Sequence, residues 1–151
     1  MTLKDLSKLD HAERCKGTLM RHDYVPVNTF TDKNANGLTK AIITFLKLHG
    51  WQAERISNTG RYIDDSRIVT DIIGIQRKIG SGKYIKGTGT NGTADISATI
   101  KGRSVKIEVK IGKDRQSEAQ IKYQVDIERA GGIYLIAKDF ESFIKQYNDL
   151  K

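Results

Sequence analysis

The feature that most constrains the fold of this chain is a pair of short segments in which apolar and polar residues alternate, residues 94–100 and 103–111. Such alternation predicts two β-strands, and the Lys101-Gly102 pair between them predicts a tight hairpin loop. With these two residues as the loop, Ile100 faces Arg103 and the register of the remaining pairs follows. Successive side chains on a strand point to opposite faces, so the hairpin has one apolar face. That face carries Ile96, Ala98, Val105, Ile107 and Val109.

The other face of the predicted hairpin carries Asp95, Glu108 and Lys110. In this register Asp95 lies opposite Glu108, with Cβ atoms about 4.5–5.5 Å apart, a distance at which like charges repel. A divalent cation between the carboxylates would remove the repulsion, and oxygen ligands suit Mg²⁺ or Mn²⁺. A nearby lysine can then orient or deprotonate a water that attacks a phosphate. Two alternatives stay open: an ordinary exposed hairpin face, or a three-residue loop that turns Glu108 toward the apolar side.

An ordered set of short motifs surrounds and follows these residues. It consists of Gly92-Thr93-Ala94-Asp95, Ile107-Glu108-Val109-Lys110, Ser117-Glu118-Ala119-Gln120 with Tyr123, and Gly131-Gly132-Ile133-Tyr134. The spacing of Asp95 and Glu108-Val109-Lys110 resembles the D…(D/E)-x-K signature of the PD-(D/E)XK nuclease superfamily. The whole set, over roughly the last 60 residues, resembles the VRR-NUC (virus-type replication-repair nuclease) domain. A predicted helix from Gly37 to Gly50, with Arg55-x-x-Asn58-x-Gly60 after it, extends the likeness upstream.

The resemblance implies an α/β fold with a restriction-endonuclease-like core, in which a mixed β-sheet is flanked by helices. It also implies that Asp95 and Glu108 ligate Mg²⁺ or Mn²⁺ together with the carbonyl of Val109. Lys110 would be the catalytic lysine.

A helix after the hairpin would contribute two further residues, according to the same resemblance. Gln120 would reach back to the catalytic site, and Tyr123, one turn beyond it on the same helix face, would line a nucleic-acid groove. Ser117-x-x-Gln120 also has the spacing of a capping box, in which the glutamine bonds the N–H of the cap residue. The sequence leaves these two interpretations of Gln120 open.

The chain departs from the family pattern at two places. Ala94 stands where the superfamily name has proline. Relatives usually carry an acidic residue on the first helix, whereas residues 33–53 contain none here. Either the metal site has one carboxylate fewer, or Asp32 supplies it from just outside the helix. The departure bears most on whether a second metal ion binds.

A basic, glycine-rich segment precedes the hairpin, and residues 72–94 contain no acidic residue. We predict a loop here, or a loose hairpin around Ser81-Gly82, that contacts phosphate groups; a solvated surface loop is the alternative. The net charge of +8 favours a polyanionic partner. The candidate nucleic-acid-binding residues are Arg77, Lys78, Lys83, Tyr84, Lys86, Lys113, Arg115 and Tyr123.

Along the chain we expect a single VRR-NUC-like domain over residues 1–151, with an N-terminal extension at 1–35 and the core at 36–151. The spacing of apolar residues predicts helices at 37–50, at 117–130 and from Phe140 onward. Strands are predicted at 51–56, 68–75 and 133–137. The single cysteine, the absence of an apolar N-terminal segment and the lack of an 18-residue apolar run favour a cytoplasmic protein without membrane contact.

Taken together, the residues and the resemblance predict a divalent-metal-dependent endonuclease that hydrolyses phosphodiester bonds in DNA. The family implies structured or branched DNA as substrate, in repair, recombination or phage replication. It also implies a phage-encoded origin and a homodimer as expectations. Two alternatives remain: a catalytically weak nucleic-acid-binding module on the same fold, and a nuclease that acts on RNA.

Overall fold

The computed structural model describes residues 1–57, 60–85, 87 and 89–150. The helices are α1 (Leu3–Lys16), α2 (Ala35–Leu48), α3 (Glu118–Arg129) and α4 (Phe140–Asp149), with a 3₁₀ turn at His22–Tyr24. The strands are β1 (Gln52–Arg55), β2 (Arg61–Asp64), β3 (Arg67–Thr70), β4 (Gln76–Ile79), β5 (Gly82–Ile85), β6 (Ile96–Ile100), β7 (Arg103–Val109) and β8 (Ile133–Ala137). Across the part of the chain that the structure describes, every helix is too short or too polar to cross a membrane.

Four strands form the central sheet, in the order β1-β6-β7-β8. The β1–β6 and β6–β7 pairs are antiparallel, whereas β7 and β8 are parallel and are connected through α3. A parallel pair requires such a crossover, because the chain must return to the same end of the sheet. The prediction of an α/β fold with a mixed sheet flanked by helices is confirmed.

The β6–β7 hairpin has the predicted register, with Ile96 opposite Ile107, Ala98 opposite Val105 and Ile100 opposite Arg103. Both loop residues have positive φ angles, 51° at Lys101 and 77° at Gly102. A two-residue loop of this kind has the twist that joins neighbouring antiparallel strands, which explains why it fixes the register.

The apolar face of the hairpin lies in the hydrophobic core, with Ile96, Val105 and Ile107 fully buried. Helices α2 and α4 cover this face through an aromatic cluster in which Phe45 of α2 makes edge contacts with Phe140 and Phe143 of α4. The side chain of Asn34 caps α2 by accepting a hydrogen bond from the Gly37 N–H at 2.8 Å.

The chain forms two compact units, one made of residues 1–56 and 92–151 and the other of residues 57–91. The first contains the central sheet and all four α-helices. The sequence analysis expected one domain over residues 1–151, as the length of the chain suggests.

The second unit is an antiparallel ribbon in which β2 pairs with β5 and β3 with β4. This corrects the prediction of a strand at 68–75 and of a loop or loose hairpin around Ser81-Gly82, because the chain turns at residues 71–75 instead. The Asp71 carboxylate organises the turn by accepting hydrogen bonds from the N–H groups of Ile73 and Ile75, at 3.0 and 2.9 Å. Gly74 adopts the positive φ angle that the turn requires, 83°.

Helix α1 belongs to the predicted N-terminal extension, yet it contributes to the core. Leu6 is completely buried in the same cluster as α2 and the central sheet, whereas Leu9 on the same helix is 39% exposed. Helix α1 of the extension is therefore packed against the core.

We predict that Leu6→Ala lowers the free energy of unfolding by about 2–5 kcal/mol, because it removes buried apolar surface and leaves a cavity. Urea denaturation followed by circular dichroism measures this change. Leu9→Ala is the matched control, with the same substitution on the same helix at an exposed position, and should have little effect. Equal and small effects of both variants would show that α1 does not dock on the core.

Candidate functional site

The two acidic residues of the hairpin meet at the point where β6 begins and β7 ends. Glu108 lies on β7 with 1% of its surface exposed. Asp95 directly precedes β6, and its Oδ2 atom accepts a hydrogen bond from the N–H of Val109 at 2.9 Å. The Asp95 carboxylate is thus held beside the peptide group that follows Glu108, as the hairpin register requires.

Electrostatic effects on Glu108 reflect this arrangement. Burial raises the pKa of the Glu108 carboxyl above its ordinary value, since water no longer solvates the charge. The hydrogen bond from Lys110 opposes this shift, and the negative charge of Asp95 adds to it. The two carboxylates are therefore close enough to repel each other, which is the property from which the sequence analysis inferred a cation.

Lys110 and Gln120 compensate the buried charge of Glu108. The Lys110 ammonium, on a residue only 8% exposed, lies 3.1 Å from Glu108 Oε1. The Gln120 side-chain amide donates to the same carboxylate oxygen at 2.5 Å, and its carbonyl oxygen accepts from Lys110 Nζ at 3.0 Å. The exposed Asp114 carboxylate lies 3.5 Å from the ammonium on another side. Glu108, Lys110 and Gln120 form a closed set of contacts, which we call the central triad.

Gln120 makes the contacts that both interpretations require, and its catalytic role stays a prediction. Its side-chain oxygen accepts the N–H of Ser117 at 2.9 Å, and its own N–H donates to the Ser117 hydroxyl oxygen at 3.3 Å, so the capping box is formed. The same side chain reaches Glu108 and Lys110. The start of α3 is therefore fixed to the polar site by the residue that also caps the helix.

Tyr134 is a site residue to which the sequence analysis assigned no role. It is 8% exposed, and its hydroxyl donates to Glu108 Oε2 at 3.4 Å. Burial raises the pKa of Tyr134, and the Glu108 charge raises it further, so the phenol stays protonated as a donor. No local sequence signal marks Tyr134, because it joins the site through the parallel pairing of β8 with β7, which places it opposite Lys106 and on the face of Glu108.

Further polar side chains continue this network on α3 and in front of it. Gln116, which precedes α3, donates to the Gln124 side chain on the helix at 3.0 Å. Tyr123 packs its ring edgewise on Tyr134, with centroids 6.3 Å apart, and burial raises the pKa of Tyr123. The role of Tyr123 in nucleic-acid binding stays a prediction.

Two predicted nucleic-acid-binding residues of the first unit, Lys113 and Arg115, are exposed just beyond the end of β7. Arg115 borders a surface depression of about 360 Å³. Lys110, Asp114, Arg115, Gln116, Ile121, Ile136 and Lys138 line it. The depression brings Lys138, which the sequence analysis did not select, to the same surface as Lys110 and Arg115.

The other predicted basic residues belong to the second unit. Arg77 and Lys78 lie on β4 and form exposed ion pairs, with Asp71 at 3.5 Å and with Asp64 at 3.9 Å. Lys83 and Tyr84 lie on β5, where Tyr84 is 66% exposed. Lys86 lies outside the described residues.

The remaining open question from the sequence was whether Asp32 supplies a third carboxylate. Its Oδ2 atom accepts the N–H of Phe140 at 3.3 Å, at the start of α4. Within residues 1–57, 60–85, 87 and 89–150, no three His, Cys, Asp or Glu side chains form a group that could hold a metal ion. Asp32 therefore does not join Asp95 and Glu108.

The donor set of this site fits a hard cation nonetheless. Mg²⁺ binds through one or two carboxylates and keeps several of its waters, so two acidic residues are sufficient. Asp95 and Glu108 supply carboxylate oxygens from adjacent strands, and the carbonyl of Val109 remains the predicted third ligand.

Compared with models of protein families, with curated proteins and with solved structures, the chain has no significant match. The assignment to the VRR-NUC domain therefore rests on the sequence motifs and stays a prediction.

We predict that Lys110→Met lowers the free energy of unfolding by about 3 kcal/mol, because it leaves the buried Glu108 carboxylate without its positive partner. Adding Glu108→Gln to this variant should recover part of the loss, since the uncompensated charge is then removed. Urea denaturation of both single variants and the double variant gives the coupling energy. Lys113→Met, at an exposed lysine three residues away, is the control. Additive effects at positions 108 and 110 would show that the two side chains do not form an ion pair.

Proposed function

We propose that the protein is a divalent-metal-dependent nuclease that hydrolyses phosphodiester bonds in DNA. The observation that carries the proposal is the pair of Asp95 and Glu108 carboxylates at the junction of β6 and β7, with Lys110 and Gln120 in contact with Glu108. A hairpin face without a function has little reason to bury a carboxylate and an ammonium ion together.

In this proposal Asp95, Glu108 and the Val109 carbonyl hold Mg²⁺ or Mn²⁺. The bound cation supplies Lewis-acid stabilisation of phosphate charge and acidifies a coordinated water. Lys110 places a fixed positive charge beside Glu108, where negative charge develops on the scissile phosphate.

Contacts within the central triad and from Tyr134 position its two charged side chains. Gln120 holds Lys110 and Glu108 at once, and Tyr134 donates to the second oxygen of Glu108. These contacts limit the rotamers that the two charged side chains can adopt. The triad is therefore preorganised, which is how an enzyme avoids the cost of reorienting its charges during reaction.

The positive charge of the chain supports nucleic acid as the substrate class. The motif resemblance supports DNA that is structured or branched, and a role in repair, recombination or phage replication. The same resemblance supports a homodimer. The single cysteine favours action in the cytoplasm, which for a phage-encoded protein is that of the bacterial host.

A binding module that has the fold without the chemistry is the second candidate, and two observations favour it. The Glu108 charge is already compensated by Lys110 at 3.1 Å, and no third acidic residue joins the pair in the described part of the chain. A nuclease that acts on RNA is the remaining alternative.

The test uses purified protein with end-labelled linear, flapped and four-way DNA and with RNA of the same sequences. Each substrate is incubated with Mg²⁺, with Mn²⁺ or with EDTA, and products are resolved by denaturing gel electrophoresis. Metal-dependent cleavage of DNA supports the proposal. Binding without cleavage in either metal supports the module, and cleavage restricted to RNA supports the third candidate.

We predict that Asp95→Asn lowers the rate of DNA cleavage by about a hundredfold or more, because an amide replaces a metal-ligating carboxylate. The fold should persist, since the asparagine oxygen can still accept the Val109 N–H. Single-turnover cleavage measures the rate, and thermal unfolding with added Mn²⁺ should show that the stabilisation by the metal is lost.

Asp114→Asn is the matched control for Asp95→Asn. It makes the same change at a carboxylate that also contacts the site, 3.5 Å from Lys110 Nζ, but on an exposed side chain. Its cleavage rate should stay within a few-fold of the unmodified protein. Unchanged cleavage by Asp95→Asn would remove this carboxylate from the mechanism.

We predict that Lys83→Ala combined with Lys86→Ala weakens DNA binding for all sequences and flattens its salt dependence. Each lysine that contacts a phosphate contributes about 1 to the slope of log affinity against log salt. Fluorescence anisotropy over a series of salt concentrations gives the slope. Lys4→Ala with Lys8→Ala, which removes two exposed lysines from α1, is the control. An unaltered slope in the first variant would mean that these lysines do not touch phosphate.

A further inference from the structure

The antiparallel ribbon of the second unit displays two tyrosine rings on one face. Tyr62 of β2 lies directly opposite Tyr84 of β5, and directly opposed residues of an antiparallel pair project from the same face. The two side chains are 65% and 66% exposed. Most of the surface of both rings is thus open to solvent.

Glycines beside the tyrosines make room for the rings to lie across the ribbon. A methyl group added at Gly82 would overlap the Tyr62 ring, and one added at Gly60 would overlap the ring of Tyr84. The rings of Tyr62 and Tyr84 therefore occupy the space in which a side chain at Gly82 or at Gly60, respectively, would otherwise stand. Packing of this kind limits the motion of the rings and leaves their outer surfaces available.

The chemistry of this surface decides which ligand it suits. Exposed aromatic rings bind flat apolar or π-bearing groups, and tyrosine loses little conformational entropy when it does so. Strands β4 and β5 of the ribbon carry Arg77, Lys78 and Lys83 and no acidic residue. Lys83 is adjacent to Tyr84 on β5 and therefore projects from the opposite face. The acidic residue of the tyrosine face, Asp64, lies 3.9 Å from the Lys78 ammonium, which offsets its charge.

Aromatic rings next to basic side chains match a nucleic acid better than an apolar protein surface, because a nucleic acid offers both ring faces and phosphates. Within a duplex, neighbouring base pairs cover those ring faces. Only unpaired bases, at flaps, gaps, junctions or single-stranded ends, can stack on a protein side chain.

We propose that Tyr62 and Tyr84 form a stacking platform for unpaired bases of nucleic acid. This inference rests on the proposed function for its ligand class and adds the structural feature that the protein would recognise. A platform of this kind selects substrates by the presence of unstacked bases and is tolerant of sequence, since every base has a π face.

The experiment measures binding by the full-length protein in EDTA, so that cleavage does not contribute. The probes are fluorescein-labelled oligothymidylate and a blunt hairpin duplex with the same number of nucleotides. Stacking is worth about 1–3 kcal/mol per base, so Tyr62→Leu with Tyr84→Leu should weaken binding of oligothymidylate about tenfold or more. Binding of the duplex should change less than about twofold, since it presents few open base faces.

Two further variants separate stacking from other roles of the tyrosines. Tyr62→Phe with Tyr84→Phe keeps the rings and should retain the affinity for oligothymidylate. Tyr24→Leu is the matched control, because Tyr24 is 66% exposed and has the Arg21 guanidinium 5.9 Å from its ring centroid, but it lies outside the ribbon. It should bind both probes like the unmodified protein.

A direct readout comes from Tyr84→Trp, which places a fluorescent ring on the platform. Stacking should quench its emission when oligothymidylate is added and should do so much less with the duplex. Tyr24→Trp is the control and should not respond. The native Trp51 belongs to the first unit and donates to the Tyr147 hydroxyl at 2.8 Å, so its emission in the unmodified protein supplies the baseline.

Three results would overturn the platform. The first is an equal loss of affinity for oligothymidylate and for the duplex in the leucine variant, which would point to general phosphate contacts or to collapse of the ribbon. The second is a loss of affinity for oligothymidylate in the phenylalanine variant that equals the loss in the leucine variant, which would assign the effect to the hydroxyl groups. The third is unchanged affinity accompanied by loss of a dimer in sedimentation, which would make the tyrosine face a contact between copies.

A protein that binds oligothymidylate through the tyrosines but cleaves nothing with Mg²⁺ or Mn²⁺ would retain the platform and lose the nuclease proposal.

Discussion

The contacts of the Glu108 carboxylate are the interaction on which the rest of the site depends. Burial of a carboxylate that is 1% exposed has a large desolvation cost, and only groups that bond to the carboxylate offset this cost. Here Lys110, Gln120 and Tyr134 do so, from the end of β7, from α3 and from β8. Three elements of the fold are thus joined at one side chain, and any change at Glu108 acts on all of them.

Helix α3 shows how strongly the packing relies on this polar cluster. None of its residues is fully buried, so an apolar face contributes less to its docking than in α2 or α4. Instead, Gln120 bonds Glu108 and Lys110 at its first turn, and Tyr123 packs on Tyr134. These contacts of α3 fix the geometry of the triad. They also couple the stability of the helix to the charge state of the site, because the helix contacts are made to ionisable groups.

The two proposed activities are located in different compact units and are chemically complementary. The first unit holds the carboxylate pair and the triad, which suit phosphodiester chemistry with a divalent cation. The second is a ribbon with two exposed tyrosines and basic neighbours, which suits the recognition of unpaired bases. A nuclease for flaps or junctions needs both properties, since the bond it cleaves lies near bases that have lost their partners.

The sequence by itself determined the features that depend on nearby residues. The two-residue loop and the alternating pattern specified the register of the β6–β7 hairpin, and hence the proximity of Asp95 to Glu108. The capping-box spacing likewise placed the start of α3. Tertiary structure alone decided that Glu108 is buried, that Tyr134 donates to it and that Asp32 lies at α4 instead. These outcomes depend on the parallel pairing of β8 with β7 and on helix packing. Both bring together residues that are far apart in the chain, and a local pattern of apolar residues does not reveal such contacts.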